Sequence, residues 1–273
     1  MIGVKSYELF GAEVDFDLRH IDAPDADELR SLFDRYHLLV FRNQSLGHDE
    51  QIAFMSLLGP VLRSRIDGVG YITNVPGPDN FLGDSELAFH SDLSFSPKPF
   101  LAISLHAVEV ENGRSSTKFV DPTASYRRLP QALRERIDAL NALHVYGADL
   151  AGRNLEDLPT HPPRAVHPLV MRHPRTGERI LYVNYNQTAR IVELGEAESD
   201  ALIEQLFACS YPEEAVLEHR WDLGDLVVWD NLALQHARGA VSDVGVRRLQ
   251  RAVCAEAGFF EQYPEFGKHE FVT

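Results

Sequence analysis

The apolar residues of this chain fall mostly in short runs bounded by turn-forming residues, and this pattern limits the possible fold most strongly. Strand-like runs, alternating or continuously apolar, occur at residues 10–18, 37–41, 100–110, 113–120, 166–174, 179–184, 226–229 and 247–253. Helical periodicity is limited to residues 25–36, 49–58, 129–140 and 195–209. Many short strands with distant partners, and a few helices outside them, predict a mainly β protein with flanking helices, as a β-sandwich or jelly roll.

Two irregular segments, residues 61–88 and 142–168, are rich in proline, glycine or histidine. Loops of this kind often carry function, and the first leads directly into His90, so we expect both to cover a site. Apolar residues in or beside the first segment offer a surface for an aliphatic or aromatic substrate: Tyr71, Ile72, Phe81, Leu82 and Phe89.

The bulk properties favour a soluble protein and argue against some partners. A length of 273 residues suits one integrated domain over residues 1–273. With 26 Lys and Arg against 41 Asp and Glu, the net charge is −15, so neither nucleic acid nor an anionic membrane is expected as a partner. No apolar run is long enough to span a membrane, and no signal peptide is recognisable. Cys209 and Cys254 form no disulfide framework or zinc motif, so a cytoplasmic location is expected.

A candidate metal site begins with His90-Ser91-Asp92, in which an imidazole and a carboxylate are two residues apart on an extended segment. Such side chains face the same side and can bind one metal ion together with a third ligand. His236, which follows a strand and the Asp230-Asn231 turn, is the candidate for that ligand. Two histidines and one carboxylate are typical of non-haem Fe(II) oxygenases, although catalytic zinc accepts the same set. The remaining histidines singled out are interpreted as surface or core residues: His37, His48, His106, His161, His167, His173 and His219.

Arginines on the last predicted strand could bind an anion near this metal. Arg247 and Arg251 share one face of the strand, whereas Arg248 points to the other face and is interpreted as a solvated charge. A carboxylate buried in an apolar pocket needs a charge-assisted partner, and the arginine guanidinium supplies it. By spacing alone, structural salt bridges explain Arg247 and Arg251 equally well.

Several motifs in a fixed order carry a family resemblance over nearly the whole chain. They are residues 10–14, 38–44, 89–92, 166–168, 176–177 with 181–184, 224–225, and 229–231 with His236. This set resembles the taurine dioxygenase and chlorophenoxyacetate dioxygenase superfamily, Fe(II)- and 2-oxoglutarate-dependent enzymes with a double-stranded β-helix, the cupin-like jelly roll. The resemblance implies that His90, Asp92 and His236 are the catalytic Fe(II) ligands. It also implies that Thr117 and Arg247 bind the far carboxylate of 2-oxoglutarate, and that Arg251 reaches towards an anionic group.

The activity implied by the resemblance is oxidation of a small organic substrate by O2, with hydroxylation as the default, coupled to decarboxylation of 2-oxoglutarate to succinate and CO2. Asp92 argues against a halogenase, because the carboxylate leaves no ligand position for a halide. Leu232 stands where the family often has arginine, and the taurine enzyme's substrate-binding histidine falls near Ser64, between Arg63 and Arg65. These departures argue against taurine itself. Arg251, a second cation on the face of Arg247, together with the apolar residues before His90, favours a small, singly anionic substrate with an apolar portion.

Two other functions stay open at this point. A metal-dependent hydrolase would use the same three ligands but would not explain Thr117 and Arg247 as a carboxylate pair. A jelly-roll binding module without turnover would not explain the intact ligand set. Self-association into a homo-oligomer is a further possibility.

Overall fold

The computed structural model describes residues 2–62, 70–77, 83–146 and 163–256. Its strands are β1 Gly3–Ser6, β2 Ala12–Asp15, β3 Leu38–Phe41, β4 Gly70–Thr73, β5 Leu87–His90, β6 Ala102–Val110, β7 Ser116–Val120, β8 Asn141–Val145, β9 Arg164–Pro168, β10 Val170–Arg172, β11 Arg179–Leu181, β12 Thr188–Ile191, β13 Leu217–Arg220, β14 Leu226–Asp230, β15 Gln235–Arg238 and β16 Arg247–Cys254. Its helices are α1 Ala23–Tyr36, α2 His48–Ser56, α3 Pro122–Arg128, α4 Gln131–Ile137 and α5 Glu196–Ser210. In this described part of the chain, none of the helices combines the length and apolar character needed to cross a bilayer.

The largest sheet has seven strands in the order β1-β2-β3-β14-β6-β16-β4. Neighbouring strands are antiparallel except β2 and β3, which run parallel. The central strands are buried on both faces: Leu38 and Val40 of β3 enter one core cluster, and Leu39 and Phe41 enter another. Because successive side chains of a strand point to opposite faces, one continuous apolar run builds two cores.

Helices α1 and α2 cover one face of this sheet. Phe33 of α1 and Phe54 of α2 belong to the same core cluster as Phe41. Helix α1 begins with a capping box, in which the Asp22 side chain accepts a hydrogen bond from the Asp25 amide at 2.9 Å. It ends at His37, whose φ of 58° turns the chain directly into β3.

A four-stranded antiparallel sheet in the order β13-β7-β15-β5 packs on the other face. Phe119 of β7 contacts Trp229 of β14 edge to face, with ring centroids 5.4 Å apart, within a cluster that also holds Leu249 of β16. The two facing sheets confirm the predicted jelly roll, mainly β with flanking helices.

A further layer lies beside the two facing sheets. It contains the three-stranded sheet β12-β8-β9, the hairpin β10-β11 and helices α3, α4 and α5. Leu202 and Leu206 of α5 pack in one cluster with Ile137 of α4 and Ile191 of β12.

Several sequence-based boundaries were wrong in the irregular segments. Residues 61–88 contain β4, and residues 142–168 contain most of β8 and all of β9, where no regular structure was expected before Val166. The single strand predicted over residues 166–174 divides at Leu169, so that β9 pairs with β8 whereas β10 pairs with β11. Helix α3 was not predicted, and the helix expected over residues 129–140 is shorter.

Candidate active site

The candidate site lies where β5 and β15 run side by side in the smaller sheet. His90, the last residue of β5, is the direct cross-strand partner of His236 in β15. This pairing brings the two imidazole rings to a centroid distance of 4.3 Å. Two residues 146 positions apart in sequence therefore become neighbours through strand register alone.

Asp92 follows β5 in a tight turn that continues through Leu93, which has a φ of 59°. Asn231 holds this turn: its Oδ1 accepts from the Asp92 amide at 2.8 Å, and its Nδ2 donates to the Asp92 carbonyl at 2.9 Å. The same Nδ2 donates to the Phe100 carbonyl at 2.9 Å. The Trp229-Asp230-Asn231 motif thus fixes the backbone of a residue 139 positions earlier.

The three predicted metal ligands converge in geometry that suits one ion. Asp92 Oδ1 is 3.2 Å from His90 Nε2 and 3.7 Å from His236 Nε2, and one ligand atom from each residue lies within 4.8 Å of the others. His90 Nδ1 is 2.7 Å from the carbonyl of Ala88, so a proton on Nδ1 leaves the Nε2 lone pair available. Burial, with the neighbouring His90, lowers the pKa of His236 to about 3, which keeps its imidazole neutral and able to bind a metal.

Arg251 forms an ion pair with Asp92 through Nη2 and Oδ2. Burial alone would raise the pKa of Asp92, but the Arg251 guanidinium beside it holds that pKa well below its ordinary value. The cavity therefore keeps a carboxylate ionised. Arg251 was expected to meet a co-substrate or substrate anion, and the anion that it meets within this chain is Asp92.

Asp230 anchors the chain between β14 and β15. Its Oδ1 accepts from the amides of Leu232 and Ala233 at 3.0 Å each, and its Oδ2 accepts from His173 Nε2 at 2.9 Å and from Arg175. His37 and His173 also lie close enough to Asp230 to resemble a metal site. However, His173 Nδ1 accepts two backbone amides, so its Nε2 carries the proton. Since Arg175 also donates a hydrogen bond to the Asp230 carboxylate, we interpret this cluster as a structural network.

Thr117 and Arg247 both line the same cavity. The Thr117 hydroxyl accepts a hydrogen bond from Trp221 Nε1 at 3.0 Å, which leaves its own proton free to donate. Arg247 is 2% exposed, and its Nε and Nη1 have no hydrogen-bond partner among the described residues. Burial, followed by repulsion from Arg238, lowers the pKa of Arg247 to about 9. A buried guanidinium with unpaired N–H groups is suited to bind a carboxylate.

All six predicted site residues line one cavity: His90, Asp92, Thr117, His236, Arg247 and Arg251. Its apolar wall includes Ile72, Leu87, Leu93, Phe95, Phe100 and Tyr146.

Two side chains expected to form the apolar wall lie outside it. Tyr71 contacts His48 and Arg248, and Phe89 stacks on Tyr211. Both expectations were wrong because strand alternation turns these residues away from the cavity. Arg248 is half-buried with its guanidinium 4.1 Å from the Tyr71 ring centroid, rather than simply solvated. Phe81, Leu82, Arg63, Ser64, Arg65 and His161 lie outside the described residues.

Sequence reasoning missed three residues with clear contacts at the site. Asn231 accepts a hydrogen bond from the Asp92 amide, and Trp221 donates one to the Thr117 hydroxyl. Only the folded structure shows these two pairs. Arg238 lines the cavity and was overlooked, although it lies two residues after His236, on the same face of a strand.

Comparisons with known proteins agree with this geometry. Residues 4–253 match the model of the family described as "Taurine catabolism dioxygenase TauD, TfdA family". Pentalenolactone F synthase of Streptomyces avermitilis is 31% identical over 263 residues, which cover 85% of this chain and 86% of that protein. The alpha-ketoglutarate-dependent 2,4-dichlorophenoxyacetate dioxygenase of Cupriavidus pinatubonensis is 31% identical over 273 residues, which cover 90% and 94% respectively. The crystal structure of AAD-2 in complex with Mn(II) and N-oxalylglycine superposes with a TM-score of 0.80 at 26% identity, covering 94% of this chain and 98% of that chain.

Proposed function

The chain belongs to the taurine catabolism dioxygenase TauD, TfdA family, and from this premise we propose that His90, Asp92 and His236 bind its Fe(II) ion and that its substrate is a small organic anion. The protein is a dioxygenase that uses Fe(II), 2-oxoglutarate and O2 and acts on a small organic molecule. Membership in this family sets aside the metal-dependent hydrolase and the inactive binding module. The observation that carries the metal assignment is the convergence of two imidazoles and one carboxylate in a single cavity.

The donor set suits a ferrous ion. Two neutral imidazoles and one ionised carboxylate are the protein ligands of non-haem Fe(II) oxygenases. Burial keeps His236 neutral, and Arg251 keeps Asp92 ionised. Bound by these residues, Fe(II) would supply O2 activation coupled to decarboxylation of 2-oxoglutarate to succinate and CO2, with oxidation of a substrate C–H bond.

Thr117 and Arg247 would hold the far carboxylate of 2-oxoglutarate. The support is that Arg247 presents unpaired N–H groups in a buried position and that the Thr117 hydroxyl still has a proton to donate. A charge-assisted contact of this kind positions the 2-oxo acid as well as binding it.

The apolar wall of the cavity would hold the substrate body and keep water away from the reacting carbon. Phe95 and Phe100 are 2% and 3% exposed, and their rings border the same space as His90 and Asp92. Exclusion of water strengthens the electrostatic contacts inside the site and suppresses side reactions. We expect hydroxylation of a C–H bond on the apolar portion of the substrate.

The charge balance of the cavity favours an anionic substrate. Among the described residues that line it, Asp92 is acidic and three residues, Arg238, Arg247 and Arg251, are cationic. A cavity with excess positive charge attracts organic acids and disfavours cations.

A substrate screen tests this proposal. With Fe(II), 2-oxoglutarate and O2, small carboxylates, sulfonates and sulfate esters with an aliphatic or aromatic portion should give substrate-dependent release of succinate. Neutral amides or alcohols of the same shape, and the Asp92→Ala variant with any compound, should give background release only. A best substrate that is neutral or cationic would refute the anionic assignment while leaving the dioxygenase activity intact.

A further inference from the structure

Arg238 is a buried arginine in the cavity that contributes to its positive charge but has no binding partner assigned by the proposed function. It is the last residue of β15 and is 5% exposed. Its Nη2 donates to the carbonyl oxygens of Gly83 at 2.9 Å and Ser85 at 2.6 Å. Its Nε and Nη1 are buried and have no hydrogen-bond partner in the part of the chain that the structure describes. Unpaired N–H groups of a buried cation are costly, so these two atoms indicate a place for an anionic ligand.

Strand register puts Arg238 beside Thr117. β15 pairs with β7 through Gln235 with Val120, His236 with Phe119 and Ala237 with Lys118. The next position in this antiparallel register sets Arg238 opposite Thr117, and directly opposite residues share a face of the sheet. Both residues line the cavity, as this register requires.

Arg247 is the other cation at this end of the cavity. It is buried, it also has unpaired Nε and Nη1 atoms, and it experiences the positive charge of Arg238. Burial lowers the pKa of Arg238, and the negative charge of the exposed Asp84 opposes this effect. Burial also lowers the pKa of Arg247, and repulsion from Arg238 lowers it further. Two buried guanidinium groups facing one cavity are unfavourable unless an anion lies between them.

We propose that Arg238 binds the far carboxylate of 2-oxoglutarate together with Arg247 and Thr117, so that two guanidinium groups hold one carboxylate. This inference rests on the proposed function, in which that carboxylate enters the Thr117 end of the cavity. A carboxylate has two oxygens with about four lone-pair sites, enough to accept from both arginines and the hydroxyl. The enzyme therefore selects 2-oxo acids that carry a second carboxylate.

A structural role for Arg238 is the competing explanation. Its Nη2 ties residues 83–85 to β15, and this contact helps to place the segment that leads into β5. That role uses one nitrogen and explains neither the two unpaired N–H groups nor the proximity of a second buried cation.

The test compares two ligands that differ only at the far end. Calorimetry on the Mn(II)-loaded protein would measure binding of 2-oxoglutarate and of 2-oxovalerate, which has a methyl group in place of the far carboxylate. Arg238→Met should weaken 2-oxoglutarate binding roughly tenfold to a hundredfold and 2-oxovalerate binding by less than about twofold. Arg238→Lys, which keeps the charge, should recover part of the 2-oxoglutarate affinity. Arg248→Met, which removes a neighbouring arginine outside the cavity lining, is the matched control and should change neither affinity.

Each other outcome overturns the inference. Equal weakening of both acids by Arg238→Met would assign Arg238 to the structural role. Unchanged binding of both acids, with weaker binding of the organic substrate, would place Arg238 at the substrate instead. If the wild-type protein bound no 2-oxoglutarate at all, the proposed function would fail and this inference with it, a result distinct from a defect confined to the variant.

Discussion

Asp92 contacts three of the other candidate site residues. Its carboxylate meets Arg251 and both candidate imidazoles, and its backbone is fixed by Asn231 on two sides. Arg251 keeps the carboxylate ionised and Asn231 fixes its backbone, so the proposed role of Asp92 as a ligand depends on residues outside the ligand set.

The first prediction concerns the metal ligands. His90→Ala, Asp92→Ala and His236→Ala should each abolish 2-oxoglutarate-dependent release of succinate while the protein stays folded, because two remaining ligands hold Fe(II) poorly. Iron content, succinate release and circular dichroism would be measured for each variant. His48→Ala, at a half-buried histidine that bonds Tyr71 outside the cavity lining, is the control and should keep its iron. Near-normal activity in any of the three variants would show that the ligand set is wrong.

The second prediction concerns the far carboxylate. Arg247→Ala should raise the KM for 2-oxoglutarate strongly, since loss of a buried charge partner costs roughly 2–5 kcal/mol. Thr117→Val should have a smaller effect of the same kind, about 1 kcal/mol. Steady-state kinetics with 2-oxoglutarate as the varied substrate separate the two effects. A KM that stays at the wild-type value in Arg247→Ala would be incompatible with the assignment.

At the scale of elements, strong apolar patterns predicted most of the β3, β6, β14 and β16 strands and helices α1, α2 and α5. The short strands β4, β12 and β13 were missed, because they are four residues long and depend on hydrogen bonds to distant partners. The convergence of the three candidate ligands could be predicted because His90 and Asp92 are two residues apart in sequence and His236 belongs to a family motif. Arg238 was not identified, because its position opposite Thr117 follows only from the pairing of β15 with β7.

The third prediction concerns Arg175, which connects helix α1 with strand β14. From the β10-β11 turn, Arg175 bonds Asp34 of α1 at 2.6 Å and the buried Asp230 at the end of β14. Arg175→Met should lower the free energy of unfolding by about 1–3 kcal/mol, because a buried carboxylate loses a charged donor but keeps His173. Denaturant unfolding would measure this. Arg127→Met, which removes an exposed ion pair with Glu178, is the matched control and should change stability by less than about 1 kcal/mol. Equal effects of the two variants would contradict the importance given to Asp230.

At the scale of the whole molecule, the site exists only once the two facing sheets have formed. Its residues come from β5, β7, β15 and β16, and Arg251 reaches Asp92 across 159 positions of sequence. The organisation as one domain over residues 1–273, the cytoplasmic location and the homo-oligomer stay predictions.

The last prediction follows from this long-range assembly. Because an unfolded chain cannot present the three ligands together, metal and 2-oxo acid should stabilise the native state by an amount set by their concentration relative to Kd, about 2.7 kcal/mol at a hundredfold excess. For a protein of this size, that corresponds to a rise in Tm of roughly 5–10 °C. Thermal unfolding would be followed with Mn(II) alone, with 2-oxoglutarate alone and with both. We expect a rise with Mn(II), a further rise when 2-oxoglutarate is added with it, and little effect of 2-oxoglutarate by itself. His236→Ala should remove the Mn(II)-dependent rise. If that variant responded to Mn(II) as the wild-type protein does, the ion would be binding at a site other than the cluster of His90, Asp92 and His236.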